Sequence, residues 1–215
     1  KEIPNWLPKA YSFLLFLVIV QGSFGALTVI NLLDSYTVTG HLLIAFLLLI
    51  TTISINQNLE NKEIKERLTW WRLLLSVPLI LTLIQSFIGV RLSSTWSGHI
   101  CLSSNKQCLI LDTHKLFALP IAFSILLIMA ISIYKRSFFT ENWKYLSAIV
   151  FLLTSQIVLG ILSLKTNLNE PIFIISHQLN ASLFIAILTT LIFRNPFLKK
   201  DQNLSLNSQM VGINS

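Results

Sequence analysis

Three long apolar segments each begin with a histidine that is followed four residues later by an alanine. The pairs are His41 with Ala45, His114 with Ala118, and His177 with Ala181. Residues i and i+4 share one helix face, so the alanine leaves room for a flat group to lie against the helix below the imidazole. A neutral imidazole offers one unprotonated nitrogen, which suits it to bind the iron of a macrocycle held between helices.

A second pattern lies in the apolar segment that precedes each of these histidines. The pairs Gln21/Gly25, Gln85/Gly89 and Gln156/Gly160 share the spacing Gln-x3-Gly. The glycines are interpreted first as small residues that let helices pack closely in lipid. A single histidine would fit an interfacial ring or a ring hydrogen-bonded to a neighbouring helix. Three histidines at equivalent positions of a repeated hairpin instead favour a shared function. An ionisable residue inside a membrane costs free energy, so it usually has a partner or serves a site.

The elements that must position these residues are membrane-spanning helices. The chain has 215 residues, of which 53% are hydrophobic and only 12% charged, and this composition excludes an ordinary soluble domain. A spanning helix needs about 20 mostly apolar residues. Six segments qualify: 11–33, 39–56, 73–92, 111–134, 145–165 and 172–194. The sequence therefore predicts an all-α membrane protein with six transmembrane helices arranged as three repeated hairpins.

The basic residues separate by side of the membrane. With a cytoplasmic N-terminus, that side carries Lys1, Lys9, Lys62, Lys65, Arg67, Arg72, Lys135, Arg136, Lys144, Arg194, Lys199 and Lys200, and the other side carries Arg91, Lys106, Lys115 and Lys165. This bias predicts that both termini are cytoplasmic. It also explains the net charge of +7 as a topology signal, so nucleic-acid binding is not expected.

The outer segment "GHICLSSNKQC" holds two cysteines and a histidine that could serve as metal ligands. Zinc prefers His and Cys in a closed tetrahedron, but the spacing of His99, Cys101 and Cys108 does not match a zinc knuckle. Thiols on the outer side are exposed to oxidation, which favours a disulfide between Cys101 and Cys108, either structural or redox-active. His99 is then a loop residue.

As an ordered set, these motifs resemble the haem A synthases, membrane enzymes of cytochrome oxidase assembly. The resemblance rests on "QGSFGALTV" with "HLLIAFLLL", on "CLSSNKQC" followed by "THKLFAL", and on "QIVLGILSL" with "SHQLNASLF". It covers nearly all of the chain except its tail. It implies oxidation of a methyl group of haem O to a formyl group, which gives haem A for cytochrome oxidase.

The resemblance also implies a domain organisation. Proteins of this family have eight helices in two similar four-helix halves, with one histidine in each hairpin. By this comparison, residues 1–58 are the second hairpin of the N-terminal, substrate-binding half, 59–72 a cytoplasmic linker, 73–194 the complete C-terminal half, and 195–215 a cytoplasmic tail. Three hairpins leave one histidine unpaired, so a fourth hairpin is expected before Lys1, and activity is assigned to that parent protein rather than to these residues alone.

By the same resemblance, His114 and His177 hold a b-type haem, with Ala118 and Ala181 beside it. Arg91 and Lys115 could bind the haem propionates. Alternatively, both are interfacial residues whose long side chains extend toward water. His41 would lie at the iron of the substrate haem O. Asp112 is not a secure substitute for the acidic residue of the family's first hairpin and could cap its helix.

The expected partners are membrane lipid and haem O, with haem O synthase and an electron-transfer protein as possible protein partners. A bacterial cell membrane is favoured over the mitochondrial inner membrane. Two other functions stay open on the sequence. One is a b-type electron-transfer subunit without catalysis, and the other is a haem-free membrane transporter or scaffold.

Overall fold

The fold, taken from a computed structural model, consists of six helices over the described residues, which are 3–60, 69–94 and 108–194. They are α1 (Leu7–Ile30), α2 (Ser35–Glu60), α3 (Thr69–Ser94), α4 (Leu109–Tyr134), α5 (Arg136–Lys165) and α6 (Pro171–Phe193). All six are long and apolar enough to cross a membrane, and the described ranges contain no strand. The predicted all-α, multi-pass membrane architecture is confirmed; the eight-helix bundle of which it would form part stays a prediction.

Most helices extend beyond the apolar segments that predicted them. Thus α3 begins at Thr69 rather than at residue 73, and α5 begins at Arg136 rather than at residue 145. The length of an apolar segment corresponds only to the part of the helix that crosses the hydrocarbon core. The backbone hydrogen bonds of the helix can continue into the headgroup region. The helices therefore run into the interfacial layer, where their polar and aromatic ends lie.

Two short turns, one after α1 and one after α5, show that the hairpin repeat includes the backbone. Leu32 and Leu33 after α1, and Asn167 and Leu168 after α5, all have positive φ angles, between 49° and 63°. In each turn the second of these residues donates its N–H to the carbonyl five residues earlier, at 2.8 and 2.9 Å. In the first turn, the left-handed conformation of Leu32 and Leu33 ends α1 at Ile30. The helix is therefore three residues shorter at this end than the predicted segment 11–33.

Helices α3 to α6 form a closed four-helix bundle, in which each helix packs against the next and α6 packs back on α3. Its core includes these large buried side chains: Trp71, Leu75, Ile125, Ile128, Leu146, Ile149, Leu188 and Leu191. Helix α2 packs against both α3 and α6, and α1 packs against α2. The first hairpin is thus attached to the bundle through its histidine-bearing helix.

Polar contacts hold the end of the bundle where α3 begins and α6 ends. Arg72 donates from Nε to the carbonyl oxygen of Ile192 at 2.9 Å, and its guanidinium lies over the ring of Phe193. Arg194 donates to the hydroxyl of Tyr145 at 3.0 Å. Cations at the last carbonyls of a helix interact favourably with its dipole, so these arginines fix the end of α6.

Candidate haem-ligand site

The rings of His114 and His177 face each other across the four-helix bundle. They come from α4 and α6, which are both neighbours of α3 and α5. The ring centroids are 6.5 Å apart, with an angle of 57° between the ring planes. Both side chains are partly buried, and Nδ1 of each ring is buried without a hydrogen bond of ordinary geometry to the described residues.

This separation suits two axial ligands of one metal ion. A metal–imidazole bond is about 2.0–2.1 Å long, and a ring nitrogen lies about 1.2 Å from the centroid of a ring with bonds near 1.3–1.4 Å. Two such bonds in line place the centroids about 6.4 Å apart. The observed centroid separation is therefore the one expected for two imidazole ligands of one iron.

Each of the three histidines lies against the glycine of its own hairpin. A Cβ atom built on Gly25 would lie 3.2 Å from Cε1 of His41. The corresponding distance is 3.0 Å from Gly89 to His114 and 3.2 Å from Gly160 to His177. These distances are shorter than ordinary van der Waals contact, so an alanine at any of the three positions would push the ring.

The glycines of the Gln-x3-Gly pairs therefore allow close approach of one particular side chain from the neighbouring helix. In each case the nearest atoms belong to the imidazole ring and not to the neighbouring helix backbone. Gly40 makes room for a different ring, because a Cβ at that position would collide with Phe24. What distinguishes the glycines of the Gln-x3-Gly pairs is that the ring beside each of them is a histidine.

The glutamines of the same pairs also contact the histidines. The side-chain Nε2 of Gln21 lies 3.2 Å from Nε2 of His41, and that of Gln156 lies 3.0 Å from Nε2 of His177. Gln85 differs, because its side-chain amide donates to the backbone carbonyl of His114 at 2.7 Å. The sequence repeat is therefore also a repeat of contacts, with one deviation in the second hairpin.

Asn180 is a site residue that the sequence analysis missed. It is buried on α6 and donates from Nδ2 to Oε1 of Gln156 at 2.6 Å and to the carbonyl of Leu152 at 2.8 Å. The first contact fixes which end of the Gln156 amide faces His177. An asparagine three residues after a histidine, in an otherwise apolar helix, was the signal that could have found it.

The remaining candidate residues lie around this centre. Ala181 is buried, and Ala118 is partly buried. The guanidinium of Arg91 lies 4.7 Å from the centroid of the Tyr36 ring, so it joins the end of α3 to the start of α2. Lys115 is exposed in the second turn of α4. Neither observation decides between propionate binding and an interfacial role.

Two other predictions concern the region before α4. Asp112 lies inside the first turn of α4 and Cys108 is the N-cap residue, so Asp112 does not cap this helix. An acidic residue in the first turn still interacts favourably with the helix dipole. Cys101 and His99 lie outside the described residues, so the Cys101–Cys108 disulfide stays a prediction.

A family model described as cytochrome oxidase assembly protein, COX15-CtaA, matches residues 1–192. The chain belongs to this family. The predicted membership of the haem A synthase family is thereby confirmed, and with it a role of the haem A synthase type in cytochrome oxidase assembly. Neither the curated proteins nor the solved structures include a significant match to the chain.

Membership of the COX15-CtaA family gives the repeated histidines a chemical context. The match includes all three histidine-bearing helices and all three Gln-x3-Gly pairs. The family acts as an oxidoreductase in haem A formation, so haem is the macrocycle to compare with the site. A haem iron suits the imidazole pair better than zinc would, because flat macrocycles leave only two axial positions for protein ligands.

Proposed function

We propose that this chain is part of a haem A synthase, in which His114 and His177 would hold a b-type haem. The observation that carries the proposal is the 6.5 Å separation of two partly buried rings on diagonally placed helices of one bundle. Membership of a haem A synthase family supports haem as the occupant. The four-helix unit of residues 73–194 would then be the haem b half.

A haem with two histidine ligands has no free axial position for substrate. In this half the protein would therefore use the haem as an electron carrier or as a structural group. Bound haem supplies one-electron redox chemistry, and the protein sets its orientation and surroundings. The side chains of His114 and His177 would hold the group, Ala118 and Ala181 would leave space beside it, and Arg91 and Lys115 would bind its propionates.

His41 is proposed to face the iron of the substrate, haem O. It repeats the contacts of His177, since its ring lies against Gly25 and within hydrogen-bond distance of Gln21. It lies on α2, which packs directly on α3 and α6 of the bundle. Residues 1–58 would therefore form part of the substrate half, next to the haem b half.

The reaction proposed is oxidation of a methyl substituent of haem O to the formyl group of haem A. This change removes four electrons and four protons and adds one oxygen atom, so a water molecule must supply the oxygen, the protons must leave to water, and an acceptor must take the electrons. An electron-transfer protein is the proposed acceptor and partner. The apolar helices would exclude bulk water from the porphyrin. Haem O synthase is a proposed donor of the substrate. We place the protein in a bacterial cell membrane with both termini cytoplasmic, in accord with the distribution of Lys and Arg.

The experiment is expression of the full parent gene in a host that makes haem O but lacks its own haem A synthase, followed by extraction and mass analysis of the haems. The proposal predicts haem A with the wild-type parent protein, and haem b but no haem A with His41→Ala. Haem b without haem A in the wild type would instead favour a b-type electron-transfer subunit. Absence of any bound haem would favour the transporter or scaffold interpretation.

A further inference from the structure

The glycine of each hairpin controls access to one backbone carbonyl. In a helix the Cβ of residue i+4 points back toward the N-terminus, over the carbonyl of residue i. Without a Cβ at Gly25, the ring of His41 approaches the helix until its Nδ1 lies 3.2 Å from the carbonyl oxygen of Gln21. A carbonyl oxygen has two lone pairs, so it can accept this bond in addition to its helical one.

This contact identifies the tautomer of His41. A carbonyl only accepts hydrogen bonds, so Nδ1 must carry the proton, and Nε2 of the neutral ring then keeps its lone pair. The side-chain amide of Gln21, 3.2 Å from Nε2, is correspondingly a donor to that lone pair. Gln21 therefore contacts both nitrogens of the ring, one through its backbone and one through its side chain.

The other two hairpins repeat the contact between the glycine and the histidine ring. Nδ1 of His114 and of His177 lies 3.6 Å from the Cβ position of its glycine, as it does for His41. Unlike Nδ1 of His41, however, Nδ1 of His114 and Nδ1 of His177 are buried without a hydrogen-bond partner among the described residues. The amide of Gln156, 3.0 Å from Nε2 of His177, again requires a lone pair on that nitrogen.

We infer that Gly25, Gly89 and Gly160 are positioning residues that set the tautomer and rotation of the three histidines. Gly25 lets Nδ1–H of His41 donate to the carbonyl of Gln21, and Gly89 and Gly160 hold the other two rings in the same position against their helices. Nε2 then keeps its lone pair, which would bind iron in place of the glutamine amide. A hydrogen bond from the second ring nitrogen orients an axial histidine and raises its basicity as a ligand. The inference deepens the proposed function and rests on it for the identity of the metal, but the tautomer of His41 follows from its contacts alone.

The first test is 15N NMR of the full chain, labelled at histidine, from haem-deficient cells, with His41 assigned through the His41→Gln variant. Gly25→Ala is compared with Gly22→Ala on the same helix, where an added Cβ meets nothing within 4 Å. The inference predicts an Nδ1–H tautomer for His41 in the wild type and in Gly22→Ala, and a shift toward Nε2–H in Gly25→Ala. An Nε2–H ring in the wild type would overturn it, even if Gly25→Ala fails to fold.

The second test measures the midpoint potential and EPR spectrum of haem b in the haem-loaded chain. Gly89→Ala and Gly160→Ala should raise the potential and shift the EPR g values, because a weaker Nδ1–H bond makes histidine a poorer donor to ferric iron. Values equal to those of wild type and Gly22→Ala would contradict the inference. A wild-type chain that binds no haem would refute the proposed function and leave the NMR result standing, so the two failures are distinguishable.

Discussion

Replacement of Asn180 by isoleucine tests the polar contacts that support the haem site. The change copies the first hairpin, where Ile44 occupies the position three residues after the histidine. It removes two hydrogen bonds of a buried side chain, at 2.6 and 2.8 Å. Hydrogen bonds between membrane helices contribute about 0.6 kcal/mol each on average and up to about 1.7 kcal/mol. We therefore expect the free energy of unfolding to fall by about 1–2 kcal/mol.

The assay is reversible unfolding of the purified protein in mixed micelles with increasing SDS. Ser182→Ala is the matched control on the same helix, because Ser182 donates only to the carbonyl of Gln178 one turn earlier, at 3.1 Å. The control should change the free energy of unfolding by less than about 0.5 kcal/mol. Equal stability of Asn180→Ile and wild type, or equal losses in the two variants, would refute the assigned role of Asn180.

Three further outcomes follow from the same structure. Leu188→Ala, at a side chain with no exposed area, should cost about 2–5 kcal/mol in the same unfolding assay, whereas Leu183→Ala, at 49% exposure, should cost far less. Arg91→Gln should lower the midpoint potential of haem b if this cation binds a propionate, because less positive charge nearby favours ferric iron; an unchanged potential would contradict that role. In a chain whose native cysteines are replaced by serine, a membrane-impermeant thiol reagent added outside should label Asn169→Cys and not Glu60→Cys; the reverse pattern would refute the orientation.

The fold could be predicted closely because membrane helices are encoded by local composition. Every predicted segment corresponds to an observed helix, and the main errors are at the ends. The start of α5 was placed at residue 145 rather than at Arg136 because its first turns are polar. The end of α1 was placed at residue 33 because a left-handed pair of leucines looks, in sequence, like more apolar helix.

The site was predicted only in part, because spacing within a helix says little about contacts between helices. The repeated histidines were visible as a pattern, but nothing in the sequence placed the rings of His114 and His177 6.5 Å apart. The glycines were assigned to packing because glycine commonly has that role in membrane helices. Only the position of the ring on the partner helix shows that Gly160 makes room for His177.

The central claim is that His114 and His177 bind one haem b, and spectroscopy of the purified 215-residue chain tests it most directly. Haem content would be measured by the pyridine haemochrome, and spin state by EPR, for the wild type and for His114→Ala, His177→Ala and His41→Ala. The account predicts low-spin haem b in the wild type and in His41→Ala, with haem lost or converted to high spin in the other two variants. Low-spin haem b retained in either His114→Ala or His177→Ala would contradict it.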